Sequence, residues 1–164
     1  MAFNAFVNFG DIKGECTDKN HKDWVVIRSY AQSVTQPASL AQGTAGGRSA
    51  EAVRFSEFSI EKLMDAATPK LFEACCKGTH LKEVAIELVR AGGDPFKYME
   101  IKLADVLISG VLHHADSTGA AQSPIETVNM TYGAIEVTYT KQKPDGTAAG
   151  NVAAKWNVAQ GAAS

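Results

Sequence analysis

The chain has 164 residues, 45% of them hydrophobic and 21% charged, with a formal net charge of −2. A chain of this length reads as one domain, residues 1–164, with a core of its own. The near-neutral charge offers no footprint for nucleic acid and no basic anchor for a membrane, and no apolar run reaches the roughly eighteen residues of a transmembrane helix.

The opening residues, Met1-Ala2-Phe3-Asn4-Ala5-Phe6, lack the basic and long apolar regions of a Sec signal peptide. Residues 3–9 alternate, with Phe3, Ala5, Val7 and Phe9 on one face, which predicts a first strand. A polar connection follows from Gly10 to Lys22. Residues 24–35 predict a longer second strand. Its first half is apolar on both faces and is expected to be covered on both sides. Its second half places Ser29, Ala31 and Ser33 on one face, small and polar enough for a wetted surface.

Pro37 to Ser49 consists of small residues, with Gly43, Gly46 and Gly47 and one charge, Arg48. Such a stretch reads either as a surface loop or as an arm that reaches a neighbouring subunit. Residues 52–61 predict a third strand, and the change of phase between Phe55 and Phe58 points to a bulge or to two covered faces.

Thr68 to Gly78 is the one convincing helix. Thr68 is placed to cap the first free N–H groups, Pro69 sits where its missing N–H costs nothing, and Gly78 suits a left-handed end. Leu71, Phe72, Ala74 and Cys75 form an apolar stripe, with Lys70, Glu73 and Lys77 facing away. A helix this short needs a sheet to lie on.

Residues 81–91 predict a fourth strand with Val84, Ile86 and Leu88 inward. Gly92-Gly93-Asp94-Pro95 turns it into a fifth, making a hairpin. Along 96–111 the inward set is Met99, Ile101 and Leu103, then changes parity to Val106 and Ile108. Along 125–140 it is Val128, Met130 and Tyr132, then Ile135, Val137 and Tyr139. Folding the chain back about Thr118–Gly119 sets the two changes, at Ala104-Asp105 and Gly133-Ala134, opposite each other. One bend therefore crosses both strands of a long hairpin that serves two layers of a small barrel or sandwich. Lys143-Pro144-Asp145-Gly146 is a turn into a last strand carrying Val152, Ala154, Trp156 and Val158, and residues 159–164 read as a frayed tail.

Reactive chemistry is sparse. Cys16, Cys75 and Cys76 make a poor disulfide framework and read as reduced thiols, with Cys75 a core residue rather than a nucleophile beside His80. His113 and His114 adjoin Asp116, but neighbouring strand residues point to opposite faces, so no metal site is expected. Glu61 and Asp65 near the helix start suit solvated or dipole-facing roles. No phosphate loop or nucleophile elbow is present, and neither catalytic nor cofactor-binding residues are assigned. The residues describe a mainly β protein, not an enzyme, that works through its surfaces.

Several segments together resemble a known family. Gly14-Glu15-Cys16-Thr17-Asp18-Lys19-Asn20-His21-Lys22-Asp23-Trp24-Val25 resembles the pattern G-E-S-x-D-x-x-H-x-x-W-I, with Cys16 in place of the serine. Asp65-Ala66-Ala67-Thr68-Pro69-Lys70-Leu71 resembles D-x-x-S-P-x-L, and Gly78-Thr79-His80 resembles the G-x-H that closes the helix. Val106-Leu107-Ile108-Ser109, Asp145-Gly146, Gly150 and Trp156 complete the set in order. These are marks of the haemolysin-coregulated protein (Hcp) family, the tube subunit of the bacterial type VI secretion system. Gln32 and Ser33 stand where many members carry an aromatic followed by glycine.

The resemblance implies a compact two-sheet β-barrel with one short helix on its side. It implies a homohexameric ring with a wide channel, stacked into a tube inside a contractile sheath and tipped by spike proteins. It further implies small effector proteins carried and chaperoned in the lumen, and a subunit that is cytoplasmic until the tube is driven out. No cofactor, nucleic acid or membrane insertion is implied. In that setting Ala41, Gln42, Gly43, Thr44, Ala45, Gly46, Gly47 and Arg48 are the candidate inter-subunit arm, and Ser29, Ala31 and Ser33 the candidate channel lining. The alternative is a monomeric barrel that binds a small ligand, which needs a hollow interior.

Overall fold

A computed structural model describes residues 3–39, 49, 50, 52–92, 95–115 and 124–163. Twelve strands and one helix follow in chain order among them: β1 (Phe3–Asn8), β2 (Val25–Ala31), β3 (Val34–Thr35), β4 (Ala38–Ser39), β5 (Ser49–Ala50), β6 (Arg54–Phe55), β7 (Phe58–Leu63), α1 (Thr68–Lys77), β8 (His80–Arg90), β9 (Phe96–His114), β10 (Ile125–Gln142), β11 (Ala148–Asn157) and β12 (Ala162–Ala163). The main sheet runs β12-β11-β10-β7-β2-β1-β8-β9, and β9 pairs again with β10. Six strands therefore close a barrel, which removes most free edges. β11 and β12 extend it from the upper half of β10.

The barrel forms because inward positions alternate apolar. Val7, Val25, Phe58, Val84, Ile86, Leu103, Val106, Val128 and Met130 are fully buried. The expected change of parity occurs where the spacing places it. Ile101 and Leu103 point in below Ala104-Asp105, and Val106 and Ile108 point in above it. Asp105 takes a left-handed conformation (φ 51°). Gly133 faces it closely enough that an added Cβ would lie 3.3 Å from Asp105 Cβ. Ala104 pairs with Ala134, so the two bends coincide. Ser109 is an extra residue between the Asn129–Gly110 and Met130–Ile108 pairs, a bulge that adds to the curvature. The fold-back point, Thr118–Gly119, lies outside the described residues, as do Gly93 and Asp94 of the preceding turn.

The helix starts and ends as the turn residues require, with two corrections. Its N-cap is Ala67, which has no side chain to offer. The Thr68 hydroxyl instead accepts the Asp65 N–H (3.1 Å), and Asp65 Oδ1 accepts the Ala67 N–H (2.9 Å). Leu71 and Ala74 are buried and Cys75 half-buried, but Phe72 is 55% exposed, because the stripe that meets the barrel is narrower than the apolar pattern. Gly78 closes the helix with φ 60° and donates its N–H to the Cys75 carbonyl.

Other elements depart from the expected spans. The second strand ends at Ala31 and is not covered on both sides, since Val26 is 50% exposed. The predicted 52–61 strand divides at Ser56-Glu57 into β6 and β7. There the Ser56 N–H meets the Ser33 carbonyl and the Ser33 N–H meets Ser56 Oγ. This gap explains the change of phase at Phe55 and Phe58. Residues 10–24 fold back as a strap over Phe6, and 162–163 pair with Trp156 and Asn157 instead of fraying.

Candidate functional site

The exposed residues Ser29 and Ala31 belong to a wider surface. A register shift between Ile27 and Ser29 turns Tyr30 inward, where its ring stacks on Phe58 (5.6 Å), and leaves Ser29 and Ala31 facing out. Ser29 lies opposite Glu61 on β7, Glu61 opposite Thr127 on β10, and Thr127 opposite Leu112 on β9. The next row is Ala31, Ser59, Asn129 and Gly110. Directly opposite residues share a face, so these two rows run across four strands of the barrel wall. Within these two rows the side chains are small and polar apart from Glu61, their one carboxylate, and Leu112, their one long apolar side chain, while the adjoining row on the same face, Leu63 opposite Ile125, is apolar. Ser33 lies beyond the end of β2, bound to Ser56, and does not join the rows. Ser59, Thr127, Asn129 and Gly110 escaped the sequence reading. Their signal is the outward parity of strands whose inward residues were recognised.

The candidate arm, Ala41 to Arg48, lies outside the described residues. Its flanks are described: Val34 pairs with Phe55, Thr35 with Arg54, Ala38 with Ala50 and Ser39 with Ser49. Among the described residues the chain between β2 and β7 therefore pairs as a two-stranded ribbon, β3 with β6 and β4 with β5. Between this ribbon and β10–β11 is an apolar groove of 320 Å³ lined by Val34, Val53, Phe55, Val137 and Trp156.

A buried charged cluster pins the helix to the barrel. Lys62 and Glu126 occupy inward positions at 0% exposure, with Lys62 Nζ 2.7 Å from Glu126 Oε2 and 2.8 Å from Asp65 Oδ1. The Thr68 hydroxyl donates to Glu126 Oε2 at 2.8 Å, and His113 Nε2 lies 3.2 Å from Oε1. Burial pushes the Glu126 carboxyl up, but its bonds to Lys62 and Thr68 outweigh that and hold it below the ordinary range. Asp65 thus anchors a buried ammonium, a correction to the solvated role expected of it. On the outer side of the helix, Lys70, Glu73 and Lys77 form an exposed ion-pair ladder, and the hydrogen bonds from Lys77 and Lys70 bring the Glu73 carboxyl down to about 2.

Cys16 is buried, Cys75 half-buried and Cys76 exposed, all as free thiols. Among the described residues no three His, Cys, Asp or Glu side chains are grouped to hold a metal ion. No described helix is long and apolar enough to cross a membrane.

Three comparisons place this architecture. The family described as "Type VI secretion system effector, Hcp" matches residues 6–139. "Protein hcp1" of Pseudomonas aeruginosa is 32% identical over 162 residues, covering 98% of each chain. Among solved structures, "Structure of a type six secretion system protein" superposes with a TM-score of 0.92 at 25% identity, covering 99% of this chain and 100% of that one. Hcp1 from Salmonella typhimurium gives a TM-score of 0.80 at 20% identity over 99% of both chains.

Proposed function

The chain belongs to the Hcp family of type VI secretion proteins, and on that premise we propose that it is a tube subunit whose copies close head to tail into a six-membered ring. The family is one of structural, secreted proteins and not of enzymes. In the proposed assembly the rings stack into a tube that a contractile sheath drives out of the cell behind a spike. Small effector proteins ride in the lumen, and the subunit is cytoplasmic until that event.

The observation that carries this reading is the pair of rows from Ser29 and Ala31 across β7 and β10 to β9. A wall of small polar side chains suits a channel, because cargo meets hydrogen-bonding groups but few apolar anchors. The pairing of Ala38 with Ala50 and of Ser39 with Ser49 brings the two flanks of the proposed arm, Ala41 to Arg48, side by side, which suits a segment that reaches a neighbouring subunit. Head-to-tail contacts close a ring when the rotation between copies divides evenly. The small-ligand barrel is disfavoured, because Phe58, Ile60, Leu103 and Met130 fill the barrel interior at 0–1% exposure.

Light scattering after size exclusion tests the proposal. A mass near six chains is the expected result. A mass near one chain across the accessible concentration range overturns the ring.

A further inference from the structure

The outward face of β7, β10 and β9 changes character along its length. Next to the row of Glu61, Thr127 and Leu112 comes a row in which Leu63 lies opposite Ile125 and Ile125 opposite His114. Same-face neighbours on a strand are two residues apart, so Leu63 stands beside Glu61 on β7, and Ile125 beside Thr127 on β10. Leu112 is diagonal to Ile125, within reach of a long side chain. Leu63 is 42% exposed, Leu112 is 64% exposed and Ile125 is half-buried. Three aliphatic side chains on three adjacent strands thus form one exposed strip, with Glu61 at its margin.

An exposed aliphatic strip is stabilised when another apolar surface covers it. Glu61 sets a charge condition on what that surface can be. Among the described residues its side chain takes part in no hydrogen bond or ion pair. No lysine or arginine stands in the rows around it. The Lys62 ammonium lies on the inner side of the wall and is held there by Glu126 and Asp65. An acidic partner would bring like charge to Glu61, and a purely apolar one would desolvate the carboxylate without pairing it. The partner that fits carries a cation beside an apolar surface. Glu61 and Leu112 are separated by two strand spacings, about 10 Å, which sets the distance between that cation and the apolar group on Leu112.

We propose that Leu63, Leu112, Ile125 and Glu61 form a docking site for a basic amphipathic segment of another protein. The three aliphatic side chains cover its apolar side, and Glu61 pairs with a lysine or arginine at its edge. In the ring described above that segment belongs to the cargo, and to that extent the inference rests on that reading. The site itself is complete within one chain. The rows of small polar side chains give cargo little to hold, and the strip at their end supplies the anchor and its charge preference.

The probe is a fluorescein-labelled peptide of about eighteen leucine and lysine residues, roughly five turns of an amphipathic helix. Its control has glutamate in place of every lysine. Binding is read by fluorescence anisotropy at low salt, and light scattering gives the mass of the same samples. The lysine peptide is expected to bind and the glutamate peptide is not. Glu61→Gln is expected to weaken binding about fivefold and Leu112→Ser about tenfold. Glu83→Gln removes an exposed carboxylate from β8, outside the strip, and is expected to leave binding unchanged. Equal weakening by Glu61→Gln and Glu83→Gln reduces the attraction to net charge and overturns the site. Equal binding of the two peptides, or no binding of the lysine peptide, overturns it as well. Bound peptide at a mass near one chain keeps the site and removes the ring, and a mass near six chains without binding does the reverse. Glu61→Gln carries the test alone if Leu112→Ser does not fold.

Discussion

Lys62 holds an inward position of β7 that its neighbours Phe58 and Ile60 fill with apolar side chains, and its charge is met by Glu126 and Asp65. Removing one partner of a buried ion pair leaves the other uncompensated. Lys62→Met is expected to destabilise the fold by about 3–5 kcal/mol, measured by urea unfolding at neutral pH. Adding Glu126→Leu to the same chain is expected to recover most of that loss, since well-packed apolar groups then replace both charges. No recovery would mean that the two charges are not coupled. Acid separates the variants further. The Glu126 carboxyl lies below its ordinary range, so its stabilisation is full above that range and is lost as pH falls through the folded-state value. The double variant is expected to show a shallower loss of stability with acid than the unsubstituted chain.

At the scale of elements, the ends and bends depend on particular backbone positions. Gly78 has φ 60° with open space about it, so Gly78→Ala pays only for the left-handed backbone, about 1 kcal/mol. Gly14 is different. A Cβ there would lie 2.5 Å from the Trp24 carbonyl oxygen, which the strap's own hydrogen bonds hold in place. Gly14→Ala is expected to lower the thermal midpoint by more than Gly78→Ala and to raise Trp24 exposure by fluorescence quenching. Equal shifts in the two variants would mean that the strap yields without cost. The long hairpin shows how an element can be legible from parity alone. The apolar residues of β9 and β10 change phase together where Asp105 and Gly133 meet, and β9 changes again at the Ser109 bulge. The strap was not legible, because a mostly polar run gives no sign that Cys16 and Trp24 cover Phe6 while Ile12 packs on the main core.

At the scale of the whole molecule, the proposed ring makes separate demands on the ribbon and on the sheet face. Deleting Ala41 to Gly47 is expected to leave circular dichroism unchanged while shifting assembly to higher concentration in light scattering. Assembly at the original concentration would remove the arm from the interface. Ala31→Glu adds a second carboxylate to a face that already holds Glu61. It is expected to change the retention of small protein cargo on size exclusion without dividing the ring, and loss of the ring instead would make this face an interface. The sequence by itself determined the helix and its ends, most strands, the shared bend and the family, because these rest on turn chemistry and on periodicities that span a few residues. Only the tertiary structure decided that Ser29 lies in line with Glu61 and Thr127, that Lys62 meets Glu126 across 64 residues, and that His21 meets Glu87 across 66. Barrel closure and strand register bring these pairs together, and register is settled by the packing of all the strands at once rather than by any one segment.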